Sequence, residues 1–340
     1  MIRKRYIALT VVILIATATA DDHLGPAEET IEVKAGDLTV RFRDNSASPK
    51  ILSGVQSLIN RRAAPGFDAY DPDGRGASAG LNFEHIISGH QTANNKFTPR
   101  HFPYTLHRLP GANSVRLVRR AADSPWKVAS TLTYTVVAPH YIDFEFRCRP
   151  QDAQLFGERG WAIFFFANYM NDVADVPLHF RGVRQPGAEE TWIAGDAPRG
   201  PADWNSGGTY RHVDAAPLKY DDDVEFRLNS WSYDEPRFTK PFYYGRAGEG
   251  MALILMFDKS HTPVDEMRFS LFKFKLPQHP RPAWDFQYVV HRVETDREYG
   301  FRGRLVWKKF VSPADCLAEY ETWAKNLAEM PPVETSPAAD

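Results

Sequence analysis

Cysteine is scarce in this chain. Only Cys148 and Cys316 occur among 340 residues, so no disulfide framework sets the fold. Two arrangements stay open: one bridge pinning the C-terminal segment to a strand, or two separately buried thiols. Neither cysteine has a local His or Gly-rich frame, which argues against a catalytic thiol. Long apolar runs are absent after the first twenty residues, so no later segment is apolar enough to cross a bilayer. A basic tract is missing too. Lys and Arg number 41 against 43 Asp and Glu, which argues against nucleic acid as a partner. There is no G-x-S-x-G elbow, no H-E-x-x-H, no P-loop and no dinucleotide glycine fingerprint. The DPDG run at Asp71–Gly74 lacks the oxygen ladder and closing Glu of a calcium loop and reads as a turn. No internal repeat is visible, which disfavours a propeller or a β-helix.

The first residues look like an address. Arg3, Lys4 and Arg5 precede a short apolar run ending in small residues, and Ala18 and Ala20 fit an A-x-A cleavage pattern before Asp21. Residues 1–20 are therefore expected to be a secretory signal peptide, and the mature protein to be secreted or periplasmic. Removing three basic residues leaves the mature chain mildly acidic. Residues 21–30 read as a linker, 31–330 as one large β-sandwich domain, and 331–340 as a disordered tail.

Alternation with a period of two dominates the domain. In YIDFEFRCR, Ile142, Phe144, Phe146 and Cys148 share one face, while Asp143, Glu145, Arg147 and Arg149 share the other. WAIFFFANYM is apolar on both faces and is expected to be a central strand. DVEFRLNSW, GMALILMFD, MRFSLFKFKL, WDFQYVVHRV and RGRLVWKKF continue the series. A hairpin is expected to turn at Ala35–Gly36–Asp37. Residues 44–112 show little periodicity and suggest short strands between long loops. One helix is signalled over 313–330, with Ser312 as N-cap, Pro313 at the first position, and an apolar face of Leu317, Tyr320, Trp323, Ala324 and Leu327. The expected fold is all-β: a large antiparallel β-sandwich with one C-terminal α-helix.

Chemistry gathers in a few stretches. NFEHIISGHQTANNKFTPRHF brings Glu84, His85, His90, Arg100 and His101 into what reads as an irregular segment. Glu84 and His85 are adjacent and so should face opposite ways on a strand. A histidine near neutrality can give and take protons, and an arginine can hold a carboxylate or hydroxyls. The five-residue step from His85 to His90 is not a helical metal pair, and a catalytic zinc needs three converging ligands, so no metal or other cofactor is expected. A second stretch ends an apolar strand with Asn168 and Tyr169, then puts His179 and Arg181 on one face of the next strand. A third sets Trp204, Tyr210, Arg211 and His212 around a Gly207–Gly208 pair, a mixture suited to stacking on sugars and binding their hydroxyls. Two further stretches, around Tyr243–Tyr244 and Trp284–Tyr288, are equally aromatic. Each stretch also has a plainer reading as turn chemistry or core packing.

In length, in its many alternating strands, and in His85, His90, His179 and His212 on irregular segments, the chain resembles the galactose-mutarotase-like group of antiparallel supersandwich proteins. That resemblance implies a carbohydrate partner. Mutarotases use two histidines and an acid around a sugar ring, while the group also holds polysaccharide lyases, hydrolases and non-catalytic glycan binders, so the reaction stays open. The expectation is an exported carbohydrate-active protein. His85, His90 and Tyr210 are the catalytic candidates. Glu84, Arg100, His101, Asn168, Tyr169, His179, Arg181, Trp204, Arg211 and His212 are the substrate-binding candidates. The alternatives are a glycan- or surface-binding module and a structural envelope protein.

Overall fold

The structure is a computed structural model describing residues 24–45, 52–70, 79–89, 102–111, 113–196, 206–215, 235–248, 250–258, 264–274 and 282–328. The proposed signal segment, the tail, His90, Arg100, His101, Trp204 and the strand read in DVEFRLNSW lie outside the described residues.

Strands run in chain order as β1 (Ala27–Glu28), β2 (Thr30–Ala35), β3 (Leu38–Arg43), β4 (Gly54–Asn60), β5 (Leu81–Ser88), β6 (Thr105–Arg108) and β7 (Ser114–Arg119). They continue as β8 (Val128–Val137), β9 (Tyr141–Pro150), β10 (Ala162–Asn168), β11 (Leu178–Val183), β12 (Thr191–Gly195) and β13 (Ser206–Tyr210). The last are β14 (Arg237–Phe238), β15 (Phe242–Ala247), β16 (Met251–Phe257), β17 (Asp265–Lys273), β18 (Pro282–Val290) and β19 (Tyr299–Lys309), followed by helix α1 (Pro313–Ala328).

They form two antiparallel sheets. One has eleven strands in the order β1-β6-β7-β8-β9-β19-β16-β15-β11-β12, with β14 also paired to β11. The other has eight, β13-β17-β18-β10-β5-β4-β3-β2. The protein is thus an all-β sandwich with one C-terminal helix. The expected hairpin turns at Gly36–Asp37 between β2 and β3. Residues 82–88, read as irregular in the sequence, instead lie in β5, near the middle of the eight-stranded sheet.

Alternation decides what lies between the sheets. Phe83, Phe164, Phe166, Phe286 and Tyr288 point inward from the eight-stranded sheet and meet Phe144, Phe146, Phe257 and Phe301 from the other. Phe166 stacks on Phe286 with ring centroids 4.8 Å apart, and Phe83 meets Phe146 edge-on at 5.1 Å. Such rings carry large buried area plus a directional term. The sheets approach closely where a side chain would obstruct them: a Cβ on Gly245 would lie 2.3 Å from the Trp284 indole. Cys148 sits in this inter-sheet core. Cys316 sits in a separate cluster, where α1 lays Cys316, Trp323, Leu317, Tyr320 and Leu327 over Phe242, Tyr244, Ile254 and Val306 on the outer face of the eleven-stranded sheet. The two thiols are therefore free and buried in different layers. Ser312 caps the helix, its Oγ accepting from the Asp315 amide at 3.1 Å. Among the described residues no helix is long and apolar enough to cross a membrane.

Because Phe286 is 1% exposed and bridges both sheets, Phe286→Ala should cost about 3–5 kcal/mol of stability, read as a lower urea midpoint at an unchanged slope. An unshifted midpoint would show that the seam is not packed as described.

Candidate functional site

If the rings of the eight-stranded sheet face inward, the residues between them must face out. On β17, Met267, Phe269 and Leu271 point into the core, leaving Glu266, Arg268 and Ser270 on the outer face. On β18 the same alternation puts Asp285 and Gln287 outward between Trp284, Phe286 and Tyr288. An outer face usually meets water. Here Glu266, Arg268, Asp285, Gln287, Ser270 and Thr209 are all 3% exposed or less.

The registers set these groups in rows across the sheet. Arg268 pairs with Gln287, Gln287 with Phe165, and Phe165 with His85. One line thus runs from β17 through β18 and β10 to β5, about 14 Å at the usual strand spacing. The neighbouring row holds Thr209, Ser270, Asp285 and, on β5, Asn82.

At the β5 end the pairing slips. His85 pairs with Phe165 and Phe83 with Phe166, which leaves Glu84 as the extra residue of a bulge. The bulge overturns the expectation that adjacent Glu84 and His85 face opposite ways: both reach the outer face. His85 Nε2 lies 3.7 Å from Glu84 Oε2, and the imidazole packs on Phe165 with centroids 5.2 Å apart. Tyr169, just past the end of β10, donates its hydroxyl to both Glu84 oxygens at 2.8 and 2.9 Å. His85 is the more open of the ion-pairing two, with 13% of its side chain exposed against 5% for Glu84.

At the β17 end stands a buried charge cluster. Arg268 Nη2 and Nε donate to Glu266 Oε1 at 2.6 and 2.8 Å. Arg211 Nη2 and His291 Nε2 lie 3.9 and 3.8 Å from the same oxygen. Burial alone would raise the Glu266 pKa. The field of Arg268, contact with His291 and the field of Arg211 outweigh it and hold the carboxyl at about 2. Gln287 donates to Ser270 Oγ at 2.9 Å, and Asp285 Oδ1 accepts the Asn168 amide at 2.9 Å where the β10–β18 ladder is interrupted.

Four oxygens on this face are buried yet have no hydrogen-bond partner among the described residues: Asn82 Oδ1, Thr209 Oγ1, Glu266 Oε2 and Gln287 Oε1. Buried polar atoms are nearly always satisfied, so four orphans on one face mark a place for a hydroxyl-bearing ligand or water. No group of three or more His, Cys, Asp or Glu among the described residues could hold a metal ion.

The structure divides the sequence candidates. Glu84, His85, Tyr169 and Arg211 share the outer face. Tyr210 does not: its ring is 3% exposed and packs inward on Phe180 at 5.1 Å, because it follows outward Thr209 on the same strand. Asn168 is likewise completely buried, its amide turned to the Met170 sulfur. His179 and Arg181 lie on β11 of the other sheet. His179 bonds Asp175 at 2.9 Å and stacks on Tyr244; Arg181 bonds Glu190 at 3.0 Å and lies over Trp192. His212 has both ring nitrogens engaged by backbone, Nδ1 with the Asp214 amide and Nε2 with the Thr239 carbonyl. The Gly207–Gly208 pair is part of β13 and paired with β17. Sequence reading missed Glu266, Arg268 and His291, and passed over Gln287 and Thr209. The polar alternation in DEMRFSL could have flagged the first two.

No protein-family model matches the chain, and no curated protein matches it. Among solved structures it is similar to a putative aldose 1-epimerase from Escherichia coli K12, at 10% identity and TM-score 0.40, covering 83% of this chain and 99% of that one. It is also similar to a heparan sulfate lyase mutant from Pedobacter heparinus, at 8% and 0.43, over 83% of this chain and 35% of that one. An α-N-acetylgalactosaminidase from Bifidobacterium bifidum matches at 10% and 0.45, over 87% and 39%. Identities near 10% and TM-scores below 0.5 leave the chemistry to the side chains of this chain.

Glu266 provides a test of the buried cluster. Its folded pKa is depressed from 4.5 to about 2, so its stabilisation is present above about pH 4.5 and lost as pH falls through 2. The shift corresponds to about 3 kcal/mol. Glu266→Gln should lose about that much stability at pH 7 and flatten the acid limb between pH 4.5 and 2, measured by denaturant titration at each pH. An unchanged acid limb would remove Glu266 from the ion cluster.

Proposed function

We propose that this is an exported carbohydrate-active protein, and that it binds a sugar along the transverse row on the outer face of the eight-stranded sheet. The observation that carries the reading is the meeting on that face of a proton-handling group and orphaned oxygens. Tyr169, Glu84 and His85 stand at one end. Asn82 Oδ1, Thr209 Oγ1, Gln287 Oε1 and Glu266 Oε2 are acceptors suited to sugar hydroxyls. Phe272, half-buried on the same face, offers apolar surface for a ring face.

His85 is the general acid or base in this reading, since it is the open member of the pair. Glu84 orients the imidazole and stabilises its charged form. Tyr169 fixes Glu84 from the far side and passes charge changes to it through a hydrogen bond. Arg268 and Arg211, held by Glu266, bind hydroxyl or acidic substituents at the other end. Export rests on the basic and apolar N-terminal segment.

The test is turnover and binding measured separately on a glycan panel. His85→Ala should lower turnover by about 10²–10⁴-fold and Tyr169→Phe by about 10–10²-fold, with binding kept within a few fold. Binding without any turnover by the unmodified protein would replace this reading with the glycan-binding module. No binding at all would overturn both.

A further inference from the structure

A second site lies away from this face, where the two sheets and the start of α1 come together. A cavity of about 450 Å³ is lined by Asp37, Asn60, Arg62, His140, Lys308 and Lys309, with Val311, 69% exposed, also on its lining.

Its walls are tied to one another. The Asp37 amide donates to the Pro139 carbonyl at 2.6 Å, and the Arg61 amide to the Asp37 carbonyl at 2.7 Å. Gly36 has φ +51°, and a Cβ there would lie 2.4 Å from the Pro139 oxygen, so only glycine lets this turn seat against the β8–β9 connection. Asn60 is 2% exposed. Its Oδ1 accepts the amides of Arg62 and Ala63 at 3.1 and 2.9 Å, while its Nδ2 donates to the Trp307 carbonyl at 2.9 Å. The Trp307 amide in turn donates to the His140 carbonyl at 3.1 Å. The backbone of the lining is thus held in place before any ligand arrives.

Its charges are unevenly distributed: Asp315 and Glu319 gather on Lys308, which leaves Arg62 and Lys309 to the cavity. Arg62, Lys308 and Lys309 face a single lining carboxylate, Asp37. Lys308 is engaged by Glu319 at 2.6 Å and Asp315 at 3.0 Å. Among the described residues Arg62 and Lys309 have no ion-pair partner. His140 Nδ1 lies 3.8 Å from Asp37, while its Nε2 is buried with no hydrogen-bond partner and 3.9 Å from Glu319. A guanidinium and an ammonium beside one hollow form a donor set for an oxyanion.

We propose that this cavity is an oxyanion-binding site taking a sulfate or phosphate group, either free or as an ester on a sugar. Arg62 and Lys309 supply the charge and the hydrogen-bond donors. Asp37 opposes the ligand and sets its affinity low. The volume exceeds that of a bare oxyanion and leaves room for the ring of an ester.

Calorimetric titration of the full chain at low ionic strength tests this, with inorganic sulfate, inorganic phosphate and glucose 6-sulfate as probes. Saturable binding of at least one probe is expected. Arg62→Glu with Lys309→Glu should weaken it at least tenfold. Asp37→Asn should strengthen it severalfold, a gain that a damaged fold would not give. Tighter binding of the ester than of free sulfate would place the anion on a sugar; equal or weaker binding would mean a free anion. His85→Ala should leave the titration unchanged, so it reads separately from turnover. No saturable binding of any probe, or binding indifferent to the two charge reversals, would overturn the site.

Discussion

The aromatic seam between the sheets is the constraint on which the rest depends. Phe166 and Phe286 lie nearly parallel on adjacent strands, and Phe146 and Phe301 press on them from the opposite sheet. With a period of two, fixing those rings inward leaves no freedom for the residues between them. Gln287 must point out because Phe286 and Tyr288 point in, and Arg268 must point out because Met267 and Phe269 point in. A one-residue slip would exchange a row of polar groups for a row of rings. The outer row is thus held in place by packing it does not take part in, which is how a rigid scaffold positions chemistry.

Bulges break the alternation of the eight-stranded sheet at Gln56 on β4 and at Glu84, and the second lies in the candidate site. The bulge at Glu84 puts two successive side chains on the same face, giving a carboxylate and an imidazole in ion-pair range without a tertiary loop. Bulges cost ladder hydrogen bonds and are common beside active sites because they re-aim side chains. The ladder is also broken at Asp285, which takes the Asn168 amide with its carboxylate, while Tyr243 from the other sheet takes the Trp284 carbonyl at 2.7 Å. Both irregularities lie among the rows that carry the orphaned oxygens. A sheet serving only as a wall would gain by regular pairing and by apolar residues at these positions, since buried ion clusters are seldom more stable than well-packed hydrocarbon.

Much of the architecture was legible because alternation is a local signal. The strand over Tyr141–Pro150, the doubly apolar β10 and the capped helix could all be read from single windows of sequence. The site was legible only in part. Glu84 and His85 drew notice as titratable neighbours, but their shared face depends on pairing with Phe165 and Phe166, far along the chain. Glu266 and Arg268 looked like the wet face of an ordinary strand, because sequence does not say which outer faces are buried. Tyr210 and His179 misled for the same reason in reverse. Their residue types suit a sugar site, but the first points into the core and the second belongs to the other sheet. Chemistry-bearing residues are common on strands; the register that gathers them is a property of the whole sheet.

The acids on the outer face are not equivalent, and the difference bears on the reaction. Paired-carboxylate hydrolysis needs one carboxyl that holds its proton near neutrality and another that has lost it. Glu266 cannot be the first, because its cationic neighbours hold it ionised down to about pH 2. Asp285 has one oxygen committed to the Asn168 backbone amide. Glu84 accepts the Tyr169 hydroxyl hydrogen at both oxygens and lies 3.7 Å from His85. Among the described residues, the groups on this face that can deliver a proton include His85, His291 and the Tyr169 hydroxyl. Under the proposed reading, His85 is the imidazole that moves a proton at a sugar carbon or hydroxyl, with Glu84 balancing its charge.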